Sequence, residues 1–195
     1  MPAVLDWLEQ RYPTLPKFLI GHSAGGQQLG FMDNHHKFSK ALLVSSSIGY
    51  WNWLASPYKY FTLFVWLGLA PVFLLTIGYL PASWFGLGED LPKGVAGEWR
   101  SWCLNSTYFG KYFSSTLSHQ SFKEVKIPLL FLYPGDDLIA TDRTVLALKN
   151  FYSQASVTIE KIIPKDHQLS QVGHLGFFSR KSKDKLWSKA LTFLQ

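Results

Sequence analysis

Phe18-Leu19-Ile20-Gly21-His22-Ser23-Ala24-Gly25-Gly26 is the stretch that decides the fold of this chain. It begins as a short apolar strand, passes through G-x-S-x-G, and runs on into the helix-compatible Gly26-Gln27-Gln28-Leu29. Gly21 and Gly25 bracket Ser23 at the spacing of a nucleophile elbow. A sharp strand-to-helix turn puts the serine in a strained conformation, and side chains at either bracketing position are expected to clash with it. The turn lifts the Ser23 hydroxyl above the sheet edge. It also aims the backbone N–H of Ala24 and the start of the following helix at the site, where they stabilise a developing oxyanion. An ordinary Gly/Ser turn is the competing reading of the pentapeptide.

Working outward, residues 3–12 put Val4, Leu5, Leu8 and Tyr12 on one helical face, and Pro13 and Pro16 end that helix. The helix after Ser23 is expected to run to about Met32. Ala41-Leu42-Leu43-Val44 then reads as a strand buried on both faces. Residues 47–126 carry no strand pattern and are dense in Trp, Tyr, Phe, Gly and Pro, which predicts a mostly helical insertion. The strand pattern resumes at Pro128 to Tyr133, followed by the turn Pro134-Gly135-Asp136-Asp137. Thr141 or Asp142 can cap the next helix, whose Val145, Leu148 and Tyr152 share a face. Ser156 to Ile163 alternates as a fourth strand, and a last helix at about 183–194 is expected to bury Leu186, Trp187, Ala190, Leu191 and Leu194.

Strands alternating with helices predict an α/β fold, with a parallel sheet covered on both faces and its active groups at the C-terminal strand ends. Ser23, the Asp136/Asp137 pair and His174 occupy such positions. In triad chemistry Ser23 is the nucleophile, His174 its general base, and an aspartate orients the imidazole. Asp137 is the preferred acid and Asp136 its rival, since aspartate also favours turns for its own reasons. His174 lies in a flexible Gly173-His174-Leu175-Gly176 setting; His167, beside Asp166, is the alternative histidine. His22 reads as a packed core histidine. His35 and His36 diverge on a helix and cannot share a metal. No H-E-x-x-H or C-x-x-C is present, so neither metal nor cofactor is expected.

The 195 residues carry a formal charge of +6, much of it from Lys181, Lys183, Lys185 and Lys189 on what reads as a solvated helix face. There is no basic stripe interleaved with aromatics and no nucleic-acid motif. The single cysteine, Cys103, rules out an internal disulfide and suits a reducing compartment. Met1 to Tyr12 has no apolar signal region, and the cytoplasm is the expected location. Phe61 to Leu80 is uncharged and long enough to span a bilayer. Pro71 in its middle favours instead a buried or substrate-facing helical hairpin broken at that residue.

These runs together resemble the bacterial predicted α/β-hydrolases, serine hydrolases with a helical cap. The matching segments are Gly21 to Gln27, Ala41 to Ser45 with Gly49-Tyr50-Trp51, Leu87 to Gly94 with Glu98-Trp99 and Trp102-Cys103, Asp136-Asp137, and Gly173 to Phe178. The order Ser, Asp, His is also that of the α/β-hydrolases. The resemblance implies a core of 1–46 and 127–195 with about four parallel strands, and a cap at 47–126. The spacing from Asp137 to Thr141 resembles the family's Asp-x-x-x-Pro/Thr turn and favours Asp137. The resemblance implies an esterase-, lipase- or peptidase-like fold, and the expected activity is hydrolysis of an ester, thioester or amide through an acyl-enzyme, with Ser23, Asp137 and His174 catalytic and Ala24 in the oxyanion hole; the aromatic insertion points to a small apolar substrate held under the cap. The family carries about a hundred residues before its elbow, including the loop that gives the second oxyanion N–H. The resemblance therefore implies a shortened fold with impaired activity, or a binding protein, whose exposed sheet edge promotes self-association. Attachment to a membrane through 61–80 is the remaining alternative.

Overall fold

β2 (Lys40–Val44) sits inside the sheet because Ala41, Leu42, Leu43 and Val44 are apolar on both faces, and all four are fully buried. It pairs in parallel with β1 (Phe18–His22) on one side and β5 (Leu129–Pro134) on the other. β6 (Val157–Ile162) pairs in parallel with β5, giving the order β1-β2-β5-β6. This computed structural model describes residues 2–85 and 88–195; Leu87 of the segment quoted above lies outside them.

The period-2 alternation of the strands divides two cores. Leu19, Ala41, Leu43, Leu129 and Phe131 face one side, with Leu5 of α1 (Pro2–Arg11) and Val145, Leu148 and Tyr152 of the region of α6 (Asp142–Lys149). Leu42, Val44, Leu130 and Leu132 face the other, against Leu186 and Ala190 of α7 (Arg180–Leu194). The C-terminal ends of β1, β5 and β6 thus open at one rim.

Several local expectations change. On α1 only Leu5 of the predicted face is buried: Val4 and Tyr12 are exposed. Leu191 of α7 is exposed as well. β1 has β2 as its one strand neighbour among the described residues, and Phe18 and Ile20 on it remain exposed. The elbow helix is short: α2 (Ala24–Gln27) tightens into a 3-10 segment over Gln28–Phe31.

Residues 47–126 contain α3 (Tyr58–Phe64), a π-helical turn (Val65–Leu69), α4 (Ala70–Thr76) and α5 (Lys93–Cys103). They also contain two short antiparallel strands that the sequence pattern does not announce, β3 (Tyr79–Leu80) and β4 (Leu91–Pro92). Pro71 does not break the helix into a hairpin: Tyr58–Thr76 is continuous. Pro71 lies in the first turn after the π-helical segment. That widened turn accommodates a residue with no N–H and a ring that would otherwise meet the preceding turn. Val65, Trp66, Ala70, Leu74, Cys103, Tyr108 and Phe109 join the same hydrophobic cluster as the sheet, so this segment shares a core with it.

Candidate active site

The elbow places its serine by backbone strain. Ser23 has φ 51° and ψ −125°, and its N–H donates to the Val44 carbonyl at 3.0 Å. A non-glycine residue held there costs about 1–3 kcal/mol, which the surrounding packing has to offset. Glycine is required on both sides of this turn, though not at both positions that the motif suggests. A Cβ at Gly21 would lie 2.5 Å from the Gly26 Cα, and one at Gly26 would lie 2.0 Å from the Ser46 Oγ. A Cβ at Gly25 would meet nothing within 4 Å. The steric demand is therefore between strand and helix, Gly21 against Gly26, with Ser46 behind.

Asp137 follows β5 in a tight turn and is 4% exposed. Its Oδ1 accepts from the amides of Ile139 at 2.8 Å and Ala140 at 2.9 Å. Its Oδ2 lies 2.8 Å from His174 Nδ1, and His174 Nε2 lies 2.8 Å from Ser23 Oγ. Burial pushes the Asp137 carboxyl up, but the hydrogen bond and charge of His174, with those two amides, outweigh it and hold the group below its ordinary value. An ionised Asp137 only accepts, so Nδ1 of His174 carries the proton. In the neutral imidazole Nε2 is then free to accept the Ser23 hydroxyl hydrogen.

The structure thus brings Ser23, His174 and Asp137 together from three strand ends. Asp136 points elsewhere. Its carboxylate accepts the amides of Val172 at 2.9 Å and Gly173 at 3.0 Å, and so grips the backbone that carries His174. His22 is not a core histidine: its Nε2 donates to the His174 carbonyl oxygen at 2.8 Å, and its ring lies 5.1 Å from the His174 ring. His167 stands in a separate 3-10 turn (Pro164–His167). Ala24 is the first residue of α2, where a helix leaves its amides without intrahelical acceptors. A cleft of about 380 Å³ is lined by Asp136, Asp137, Asp142, Arg143 and Lys161 among others, and Ser23 is not in its wall.

A buried polar cluster ties the elbow helix to the insertion. Gln27 Nε2 donates to the Ser47 carbonyl at 2.6 Å, and Trp99 Nε1 donates to the Tyr108 hydroxyl at 2.9 Å. Gln27 also hydrogen-bonds Tyr108, whose phenol burial pushes well up. Tyr58, at the start of α3, is half-buried; its burial and then the Asp137 charge push its phenol up. Of these groups, Asp136 had a sequence signal in its turn. For His22, Gln27 and Tyr108 the signal was absent, because their partners lie far off along the chain. Among the described residues no cluster of three or more His, Cys, Asp or Glu is placed to hold a metal.

No protein-family model matches this chain, and no curated protein matches it. Solved structures do. It is similar to an alpha/beta fold family hydrolase from Bacillus anthracis str. Sterne, at 14% identity and TM-score 0.50, over 99% of this chain and 72% of that one. It is similar to the monoacylglycerol lipase of Paleococcus ferrophilus, at 14% identity and TM-score 0.53, over 98% and 72%. It is also similar to the esterase domain of a Rhodothermus marinus protein, at 14% identity and TM-score 0.51, over 97% and 63%. These likenesses, spread over nearly the whole chain, establish that its fold is the α/β-hydrolase fold.

Proposed function

We propose that this chain is a serine hydrolase that cleaves a small apolar ester, thioester or amide through an acyl-enzyme. The observation that carries the reading is the unbroken relay from Ser23 Oγ to His174 Nε2, and from His174 Nδ1 to Asp137 Oδ2, each step 2.8 Å. Ser23 Oγ attacks the substrate carbonyl carbon while its proton passes to His174 Nε2. The buried Asp137 carboxylate stabilises the imidazolium that forms. The amide of Ala24 donates to the developing oxyanion. As the tetrahedral intermediate collapses, His174 returns the proton to the leaving oxygen, sulfur or nitrogen, and the acyl group stays on Ser23. Water then attacks the acyl carbonyl as His174 takes its proton; when the second tetrahedral intermediate collapses, His174 returns that proton to Ser23 Oγ and the carboxylic acid leaves.

The apolar preference rests on the aromatic insertion, which Ala55 and Trp53 tie to the turn after Asp137. Turnover of p-nitrophenyl butyrate tests the reading. Residues that act as one unit lose activity together. Ser23→Ala and His174→Ala are each expected to abolish the catalysed rate, and the double variant to lose no more. Undiminished turnover in either single variant would refute the assignment.

A further inference from the structure

The run Tyr58–Thr76 is apolar on the face that looks away from the protein as well as on the face that packs. It is 19 residues long, and most of it is not buried. Val65, Trp66, Ala70 and Leu74 pack inward, at 4%, 6%, 0% and 9% exposure. Tyr60, Phe64, Leu67, Val72 and Leu75 form an outer stripe that is more than half exposed throughout and reaches 81% at Leu75. Trp84, 67% exposed, extends it, its ring 5.8 Å from that of Phe73. A surface helix of a globular protein turns charged and polar residues outward. Here no residue between Lys59 and Glu89 is charged. An exposed apolar face of this extent marks a contact surface.

We propose that this face docks on a lipid surface, with the helix lying along it. The chemistry of the patch fits hydrocarbon bordered by anionic headgroups. Lys59 stands at the start of the run, and pairing of Tyr79 with Pro92 brings Lys93, the next residue, to its other end. Glu89 and Glu98 are exposed acids close to Lys93 in sequence; Asp90 is engaged by the Ser83 amide and hydroxyl. The chain's net +6 sets the overall sign toward an anionic surface. Tyr60 and Trp84 are the side-chain types that settle at headgroup depth. The helix lies on the surface and does not cross it. Its inner face is anchored in the protein core, and Arg100 Nε donates to the Trp66 carbonyl at 2.6 Å. Just before its first residue, Tyr58, the Ala55 amide donates at 2.9 Å to the carbonyl of Leu138, the residue after Asp137. Docking therefore brings the start of the helix, tied through Ala55 to the turn that carries Asp137, to the interface where apolar acyl substrates collect. That consequence rests on the hydrolase reading; the docking itself does not.

Co-sedimentation of the full chain carrying Ser23→Ala tests this without turnover, so its failure and the failure of the hydrolase reading are separate results. The probes are sucrose-loaded vesicles of phosphatidylcholine alone, and of phosphatidylcholine with an equal part of phosphatidylglycerol. The chain is expected to pellet with both, more with the mixed vesicles, and to be released by sodium carbonate. Adding Leu67→Glu and Leu75→Glu, both on the outer stripe, is expected to lower the partition coefficient about tenfold or more, with unchanged circular dichroism. Leu67→Ser with Leu75→Ser is expected to act in the same direction, and carries the test if the charged pair fails to fold. Val4→Glu with Trp7→Glu, exposed on α1, is expected to leave binding unchanged. Failure to pellet with either vesicle would overturn the proposal, as would undiminished binding in the stripe variants or an equal loss in the α1 variant. Carbonate-resistant binding would mean a span. A concentration-dependent dimer dissolved by the stripe variants would mean that a second copy covers the face. Either would overturn the proposal.

Discussion

His22 and His174 are joined by a hydrogen bond from the His22 ring to the His174 carbonyl oxygen, at 2.8 Å. A carbonyl only accepts, so His22 carries its proton on Nε2. The residue before the nucleophile therefore holds the main chain of the proposed base, and does so without touching substrate. Losing such a bond costs about 0.5–1.5 kcal/mol, up to about tenfold in rate if all of it falls on the transition state. His22→Ala is expected to lower kcat/KM by about that factor. His22→Gln, which keeps a donor, is expected to recover most of it. Steady-state kinetics of the two variants check this.

Asp136 and Asp137 adjoin in sequence and act on different parts of the same loop. Asp137 holds the His174 ring, while Asp136 holds the amides of Val172 and Gly173. Asp137→Asn is expected to lower kcat by about 10⁴-fold, through loss of the anion and the tautomer it fixes. Asp136→Ala misplaces the loop, and an error of about 1 Å costs about 10²-fold. The opposite ranking in steady-state kinetics would reverse the two roles.

The glycines of the elbow are expected to divide in stability, not in activity alone. Gly25→Ala enters open space on a helix and is expected to be neutral or to stabilise by up to about 1 kcal/mol. Gly21→Ala and Gly26→Ala drive a Cβ into the Gly26 backbone and the Ser46 side chain respectively. Overpacking of that kind costs about 1–3 kcal/mol. Urea unfolding midpoints of the three variants decide the matter.

What was legible in the sequence depended on reach along the chain. The strands at 18–22, 40–44, 129–134 and 157–162 announce themselves because each is a short apolar or alternating run between turn residues. Ser23, the Asp136/Asp137 pair and His174 could be singled out because a parallel sheet brings strand ends to one rim, and the spacing from Asp137 to Thr141 favoured Asp137 within the pair. The pentapeptide did not tell Gly25 from Gly26, since the clash involves Ser46 on a different strand end. Nor did it distinguish a proline that breaks a helix from one that a π-helical turn absorbs, which depends on backbone geometry around Val65–Leu69. The exposure of Val4, Tyr12 and Leu191 reflects which neighbours the helices actually meet, and periodicity alone is blind to that.

The depressed Asp137 pKa gives a sign for acid stability. The folded chain binds this proton less readily than the unfolded chain, whose aspartates titrate at about 3.9. The stabilisation is complete above that value and is lost as pH falls through the lower folded-state value. The wild-type chain is expected to lose more unfolding free energy than Asp137→Asn between pH 6 and pH 3. Urea titrations at both pH values measure the difference; parallel losses would mean that Asp137 is not coupled in this way.

The central claim, that Ser23 is the nucleophile of an acyl-transfer site, is met most directly by fluorophosphonate labelling followed by peptide mass spectrometry. The account predicts one phosphonyl group, on the peptide that carries Gly21 to Gly26, and no labelling of Ser23→Ala. A label on another serine, or labelling that persists in Ser23→Ala, would contradict it.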